Sequence, residues 1–276
     1  MRNHFEDSAL DFRYDVGGGA FEAPVRFRPL TWTYANSQYV NERPIGTMQT
    51  GWNFVATLRS AMPEPLKGVL WFGVDDSATT VRVPIYGAAT RVPPSFAGQG
   101  PQDGLVSPMM KYDDSHAFWA FNLVANWAYA RWSDVYPVVL PRIEALEQAF
   151  ADDVRLLDAK ATAALAGGAD EAAVVELVTQ WGVEAGDALT SNWRQFFGEL
   201  FVRFRDGYDI TPNPASAACG CAVASPGKGY SANTYARIVA ETGSQYFEKS
   251  LGAQQPTLTS KNDSLSPVNK LTLKQV

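Results

Sequence analysis

"RPIGTMQTGWNFVATLRSAMPEPLKGVLWFGVDDSATTVRVPIYG", residues 43–87, sets three short apolar runs between polar steps. "NFVATL" and "GVLWFGV" mix aromatic and β-branched residues over lengths typical of strands, too short for helices. Asp75-Asp76-Ser77-Ala78 forms a tight polar turn before "TTVRVPIYG", and two strands joined by so short a link read as a hairpin. Gly73 lies inside a strand pattern, where close approach of another backbone or a ligand is the usual cause. Upstream, "VRFRPLTWTY" alternates, with Val25, Phe27, Trp32 and Tyr34 marking extended segments, so residues 25–96 are expected to be β-structure. "RVPPSFAGQGPQDG" is loop on its Pro and Gly content.

From residue 115 the period changes. Phe118, Phe121, Ala125, Ala128, Trp132 and Val135 recur at three- and four-residue steps, the stripe of an amphipathic helix, with Asp113, Asp114 and Ser115 as capping residues. Pro137 is expected to stop that helix and Pro141 to open the next, over about 141–165. "GGAD" separates it from a third helix over 170–206, closed by Gly207. Residues from 208 onward read as loop, then one short helix in "YSANTYARIVAETGSQYF", then a polar tail over 251–276. A β-block followed by a helical block predicts an α+β fold rather than a doubly wound βαβ sheet. No internal repeat is present.

Composition removes several functions. The chain has 276 residues, 46% apolar and 19% charged, with a formal charge of −6 and a pI near 5.0. Nucleic-acid binding needs clustered Lys and Arg, and no such cluster occurs. No run reaches the length of a membrane span; the nearest, Phe118 to Trp132, is interrupted by Asn122, Asn126 and Arg131. The opening "MRNHFEDSAL" has no apolar core of a secretory signal. The only cysteines, Cys219 and Cys221, and the only histidines, His4 and His116, are too scattered for a metal set, and no cofactor is expected. The triple glycine in "VGGGAFEAP" lacks the Lys-Ser/Thr of a phosphate loop and reads as a flexible connection. No Gly-x-Ser-x-Gly elbow is present.

"HFEDSALDF" at 4–12, "RPIGTMQTGWNFVA" at 43–56, "GVLWFGVDDSATTVRVPIYG" at 68–87, "AFWAFNLVANWAYARWSDV" at 117–135 and "GYSANTYARIVAETGSQY" at 229–246 follow one another in an order that resembles the dipeptidases of peptidase family C69, which include the secernins. The resemblance implies an N-terminal-nucleophile hydrolase with an αββα sandwich, in which a cysteine thiol attacks the amide and its own α-amine is the base. An α-amine with a pKa near 7.7–8.0 can accept that proton at neutral pH. "HFEDS" falls near the middle of such proteins, so residues 1–250 resemble the C-terminal part of the domain. The nucleophile cysteine is expected in a missing N-terminal half, and the chain alone is expected to be inactive. The alternative is a catalytically silent relative that binds peptides or a partner.

The substrate-binding candidates are Gln49, Thr50, Asp75 and Asp76. The aspartates could take the amino end of a short peptide, or could be turn formers bonding their own backbone. Gln49 and Thr50 could line the cleft or be ordinary strand-end polar groups. Arg43 is placed to pair with Glu42 or Asp75. Trp52 and Trp71 read as core aromatics, His116 as structural, and His4 has no evident partner. Besides a small peptide and the missing half, a second copy of the chain is a possible partner, since strand edges and apolar faces would otherwise stand open.

Overall fold

The structure is a computed structural model that describes residues 2–98, 107–213, 215, 220, 223–225 and 229–247. Strand β1 (Thr31–Tyr34) pairs antiparallel with β2 (Ser37–Val40). Ala35 and Asn36 between them both have positive φ, which gives the two-residue turn the twist that matches its strands. A second sheet has the order β3-β4-β5, from Trp52–Leu58, Gly68–Val74 and Val83–Tyr86, all antiparallel. Its register pairs Trp52 with Val74, Phe54 with Phe72, and Phe72 in turn with Val83. Residues 25–30, expected to be extended strand, are irregular and include a cis Arg28–Pro29 bond.

The hairpin exists, but its link is not a tight polar turn. Residues 75–82 connect β4 to β5, and every one of them is buried. Polar residues pointed to the surface; the chain instead folds them under the helices.

Helix α1 (Ala117–Ala130), α2 (Trp132–Ala166) and α3 (Glu171–Phe204) follow. The first break falls at Arg131, and α2 runs on through Pro137 and Pro141. The cause is the Arg131 side chain. Its guanidinium donates to the carbonyls of Phe204 and Tyr208 and to Asp134, which satisfies acceptors at the end of α3 that the helix itself leaves open. Arg131 takes a non-helical conformation (φ −143°, ψ 58°) in making these bonds. Two short strands, β6 (Asp209–Thr211) and β7 (Val223–Ser225), pair where loop was expected; three residues are too few for an alternating pattern to show.

The sheet lies against the helices, β4 touching α1 and β5 touching α2 and α3. The main core gathers Val81 and Val83 with Phe121, Val124, Tyr129, Trp132, Ile143, Trp193 and Phe204. A second cluster packs Leu66, Val69 and Tyr86 on Val154, Leu157, Val174 and Val178. Strand β3 is the open edge, and Trp52, Phe54, Val55 and Leu58 are exposed along it. Residues 1–231 form one compact unit. In the second unit the described element is α4 (Ala232–Thr242). Cys219, Cys221 and the tail from 251 lie outside the described residues. No helix among those described is long and apolar enough to cross a membrane.

Candidate functional site

The link between β4 and β5 carries Asp75 at 2% exposure and Asp76 at 0%. The ladder to β3 continues as far as Asp75, whose N–H donates to the Gly51 carbonyl at 2.8 Å. Asp75 then turns the chain with φ +69°, a left-handed conformation that aspartate tolerates better than most residues. Asn53, buried in β3, donates through Nδ2 to the Asp75 carbonyl (3.2 Å), and Asn122 from α1 donates to Asp75 Oδ1 (3.1 Å). Gly73 precedes the turn because a Cβ there would lie 2.8 Å from Thr80 Cγ2 and 3.2 Å from the Asn53 amide.

Asp76 turns toward the helices. Its Oδ2 accepts from the Tyr129 hydroxyl of α1 at 3.0 Å and from Thr79 Oγ1 at 3.1 Å. Tyr129 Oη also lies 2.9 Å from Nε2 of His4, and His4 Nδ1 lies 2.8 Å from Glu6 Oε1. His4 is wholly buried, with its ring edge-on to Trp132 (5.2 Å), which stacks on Tyr129 (4.8 Å). A Cβ on Gly46 would come within 2.9 Å of His4 Nε2. The glycine of "RPIG" is therefore the surface on which the histidine of "HFED" lies. Arg2 fastens this segment, donating to Glu147 (2.6 Å) and to the Thr80 carbonyl (3.2 Å), while Glu147 also meets Arg82.

Burial dominates the electrostatics. It pushes the Asp75 carboxyl up to about 7, with the Asp76 charge adding to the rise and the Asn122 hydrogen bond opposing it. Asp76 is raised by burial as well, partly offset by His4 and by the Tyr129 and Thr79 hydroxyls. Burial also lifts the Tyr129 phenol well above its usual value. At Glu6 burial works in the opposite direction to hydrogen bonds from His4, and the bonds prevail, holding that carboxyl low. Asp75 Oδ2, Asp76 Oδ1 and Asn53 Oδ1 lack a well-formed hydrogen bond at the centre, although the backbone N–H groups of Asp76 and Ala78 act on the two carboxyls. Leaving such an atom without a partner costs about 1–3 kcal/mol.

Beside these residues is a depression of about 290 Å³ lined by Ile45, Thr50, Trp52, Asn53, Phe54 and Ser77. Trp52 and Phe54 stack at 5.7 Å and form its aromatic wall. Thr50 lines it, while Gln49 is exposed and accepts a bond from the Thr47 hydroxyl. A larger cavity, about 410 Å³, is lined by Arg13, Glu22, Trp132, Tyr136 and Tyr230 among others. Neither aspartate lines the first of these, but it shares Asn53 with the acidic cluster and Ser77 with the buried link, and that adjacency makes it the better candidate.

Several expectations change. The aspartates are buried, and they also bond their own stretch of chain, Asp75 through the Asp76 N–H and Asp76 through the Ala78 N–H and Thr79 hydroxyl. His4 has partners on both ring nitrogens, a neighbour 125 positions away supplying one of them. Trp52 is 60% exposed rather than core, because β3 is an edge; Trp71 is half-buried and donates to Thr57. Arg43 is exposed and pairs with neither Glu42 nor Asp75, whose burial removes it from reach. His116 opens α1 through its carbonyl and lies 3.7 Å from Asp113. Asn53, Tyr129 and Gly46 carry no local sequence signal of a place in the site. The polar Asn122 inside an otherwise apolar stretch was the one signal available. Among the described residues no group of three or more His, Cys, Asp or Glu is placed to hold a metal.

An α+β protein with a buried acidic centre beside an aromatic-walled depression is thus defined, and the segments that build that centre are the ones whose order is distinctive. The chain belongs to peptidase family C69: the model of that family matches residues 1–141. It is accordingly a peptidase by family, a hydrolase of peptide bonds. No curated protein matches the chain significantly.

Proposed function

We propose that the chain is the substrate-recognising part of a cysteine-type dipeptidase of the N-terminal-nucleophile class, with the thiol supplied by residues outside 1–276. The observation that carries this reading is the buried pair Asp75–Asp76, tied through Asn53 to the depression that Asn53 lines. The α-ammonium of a short peptide is a small cation with three donors, which unpartnered carboxylate and amide oxygens complement. Trp52 and Phe54 would accept an apolar side chain, and Thr50 would border it. A free thiol with its own amine as base would perform the attack; binding groups alone recover little of the acceleration.

The test is hydrolysis of a dipeptide panel by residues 1–276, alone and combined with a separately made half that begins with cysteine. Silence alone and turnover on combination are expected. In the combined enzyme, N-acetylation of the substrate should raise KM at least tenfold, and Asp75→Asn should erase that difference. Equal handling of acetylated and free peptides would refute the ammonium reading; turnover by the chain alone would refute the division of labour.

A further inference from the structure

Glu6, His4, Tyr129 and Asp76 form one file of hydrogen bonds, with contacts of 2.8, 2.9 and 3.0 Å, and its last three members are buried. Counting protons along it constrains what it can do. A carboxylate only accepts, so the contact with Glu6 requires a proton on His4 Nδ1. Each of the other two contacts also needs one proton between its heavy atoms. Without it, lone pairs would face each other at about 3 Å with no water to separate them, an arrangement as costly as any unsatisfied buried pair.

Burial keeps the Tyr129 phenol from ionising, and with Tyr129 neutral two arrangements supply both protons. In one, an imidazolium donates from Nε2 to Tyr129, and Tyr129 donates to an Asp76 carboxylate. In the other, Tyr129 donates to a neutral imidazole, and a neutral Asp76 carboxyl donates to Tyr129. Both hold the same number of protons and the same net charge. We propose that the file holds one mobile proton that passes between Asp76 and His4 through the Tyr129 hydroxyl, so that Asp76 changes charge without exchanging a proton with solvent. The Asp76 O–H bond breaks as Tyr129 oxygen gains that proton, and the original Tyr129 O–H bond breaks as Nε2–H forms. No other reactant takes part.

The surroundings keep the file in register. Gly46 and Trp132 flank the His4 ring, and Trp132 stacks on Tyr129. The charged and titratable groups acting on the file are Asp75 and Arg82 from the β4–β5 link and Tyr136 from α2, with Arg2, Glu144 and Glu147 acting in turn on Arg82 and Tyr136. Burial pushes Asp76 toward its neutral carboxyl while His4 and the Tyr129 and Thr79 hydroxyls oppose it, so the proton is shared between the two ends when the site is empty. A cation arriving near Asp76 would draw the proton to His4 and meet a full carboxylate. This makes Tyr129 and His4 positioning residues, and it deepens the peptide reading above without depending on it for its first test.

That test is ¹⁵N-histidine NMR of the 276-residue chain, which has only two histidines, so His116 serves as an in-spectrum reference. Asp76→Asn should move His4 Nε2 to the neutral-imidazole limit. In Tyr129→Phe, which keeps the aromatic stack, adding Asp76→Asn should produce no further shift. A His4 signal indifferent to Asp76→Asn overturns the proposal. So does a response that persists in Tyr129→Phe, since it would then be a field effect through space. In a second arm, a dipeptide with a free amino terminus should drive His4 toward imidazolium, and its N-acetyl form should not. Absence of peptide binding there would count against the dipeptidase reading and leave the first result standing.

Discussion

Replacing Asp75 by Asn should stabilise this protein at alkaline pH, which is unusual for a fully buried polar residue. The native carboxyl sits at about 7 against 3.8 for an unperturbed aspartate. A raised folded pKa contributes stability that is fully present below about 3.8 and is lost as pH climbs through 7. Between pH 4.5 and 8.5 the native state therefore gives up about 3 kcal/mol through this one group, an order-of-magnitude figure. Asn cannot ionise, keeps an oxygen for the Asn122 donor, and tolerates φ +69° at least as well as Asp. It also puts an amide where Asp75 Oδ2 has no partner, a cost of about 1–3 kcal/mol at every pH. Asp75→Asn should thus be mildly destabilising at pH 4.5 and neutral to stabilising at 8.5. Urea unfolding of both proteins at the two pH values reads the difference. An equal ΔΔG at both would show that Asp75 is not held protonated by burial.

Other consequences follow from the same geometry. Gly46→Ala should cost about 1–3 kcal/mol and displace His4, because its Cβ would fall 2.9 Å from Nε2; an unchanged His4 NMR environment would contradict the packing. Gly73→Ala should lower Tm through contact with Thr80 Cγ2 at 2.8 Å, and adding Thr80→Ser, which removes that methyl, should recover part of the loss. On the open edge, Leu58 is 85% exposed, so Leu58→Lys should reduce self-association in sedimentation velocity while shifting stability by less than about 0.5 kcal/mol. Unaltered sedimentation would mean that β3 is not the sticky edge.

The α+β order of elements was legible because period is local: strand runs in 43–87 and the helical stripe from 117 can each be read without knowing the rest of the chain. Boundaries set by distant partners were not. Proline rules place the first helix stop at Pro137, yet the break comes at Arg131, since its guanidinium has more to gain from the open carbonyls of Phe204 and Tyr208, over 70 positions on. Proline costs a helix one hydrogen bond and some strain; α2, at 35 residues and packed along both core clusters, carries two of them.

The site was legible in its letters and not in its meaning. Asp75-Asp76-Ser77 at a strand end has the composition of a surface turn, and composition is right about such sequences in most proteins. What overrules it here is a donor set drawn from elsewhere: Asn53 across the sheet, Asn122 and Tyr129 from α1, and behind Tyr129 the His4–Glu6 pair. None of these is near Asp76 in sequence, so no local rule could price the burial. Yet each occupies one of the stretches whose order marks the family. A chain that buries two carboxylates and surrounds them with an imidazole and a phenol gives up stability at that point. A fold under no other demand would fill the space with apolar side chains, and the proposed recognition of a peptide ammonium is one demand that would account for the cost.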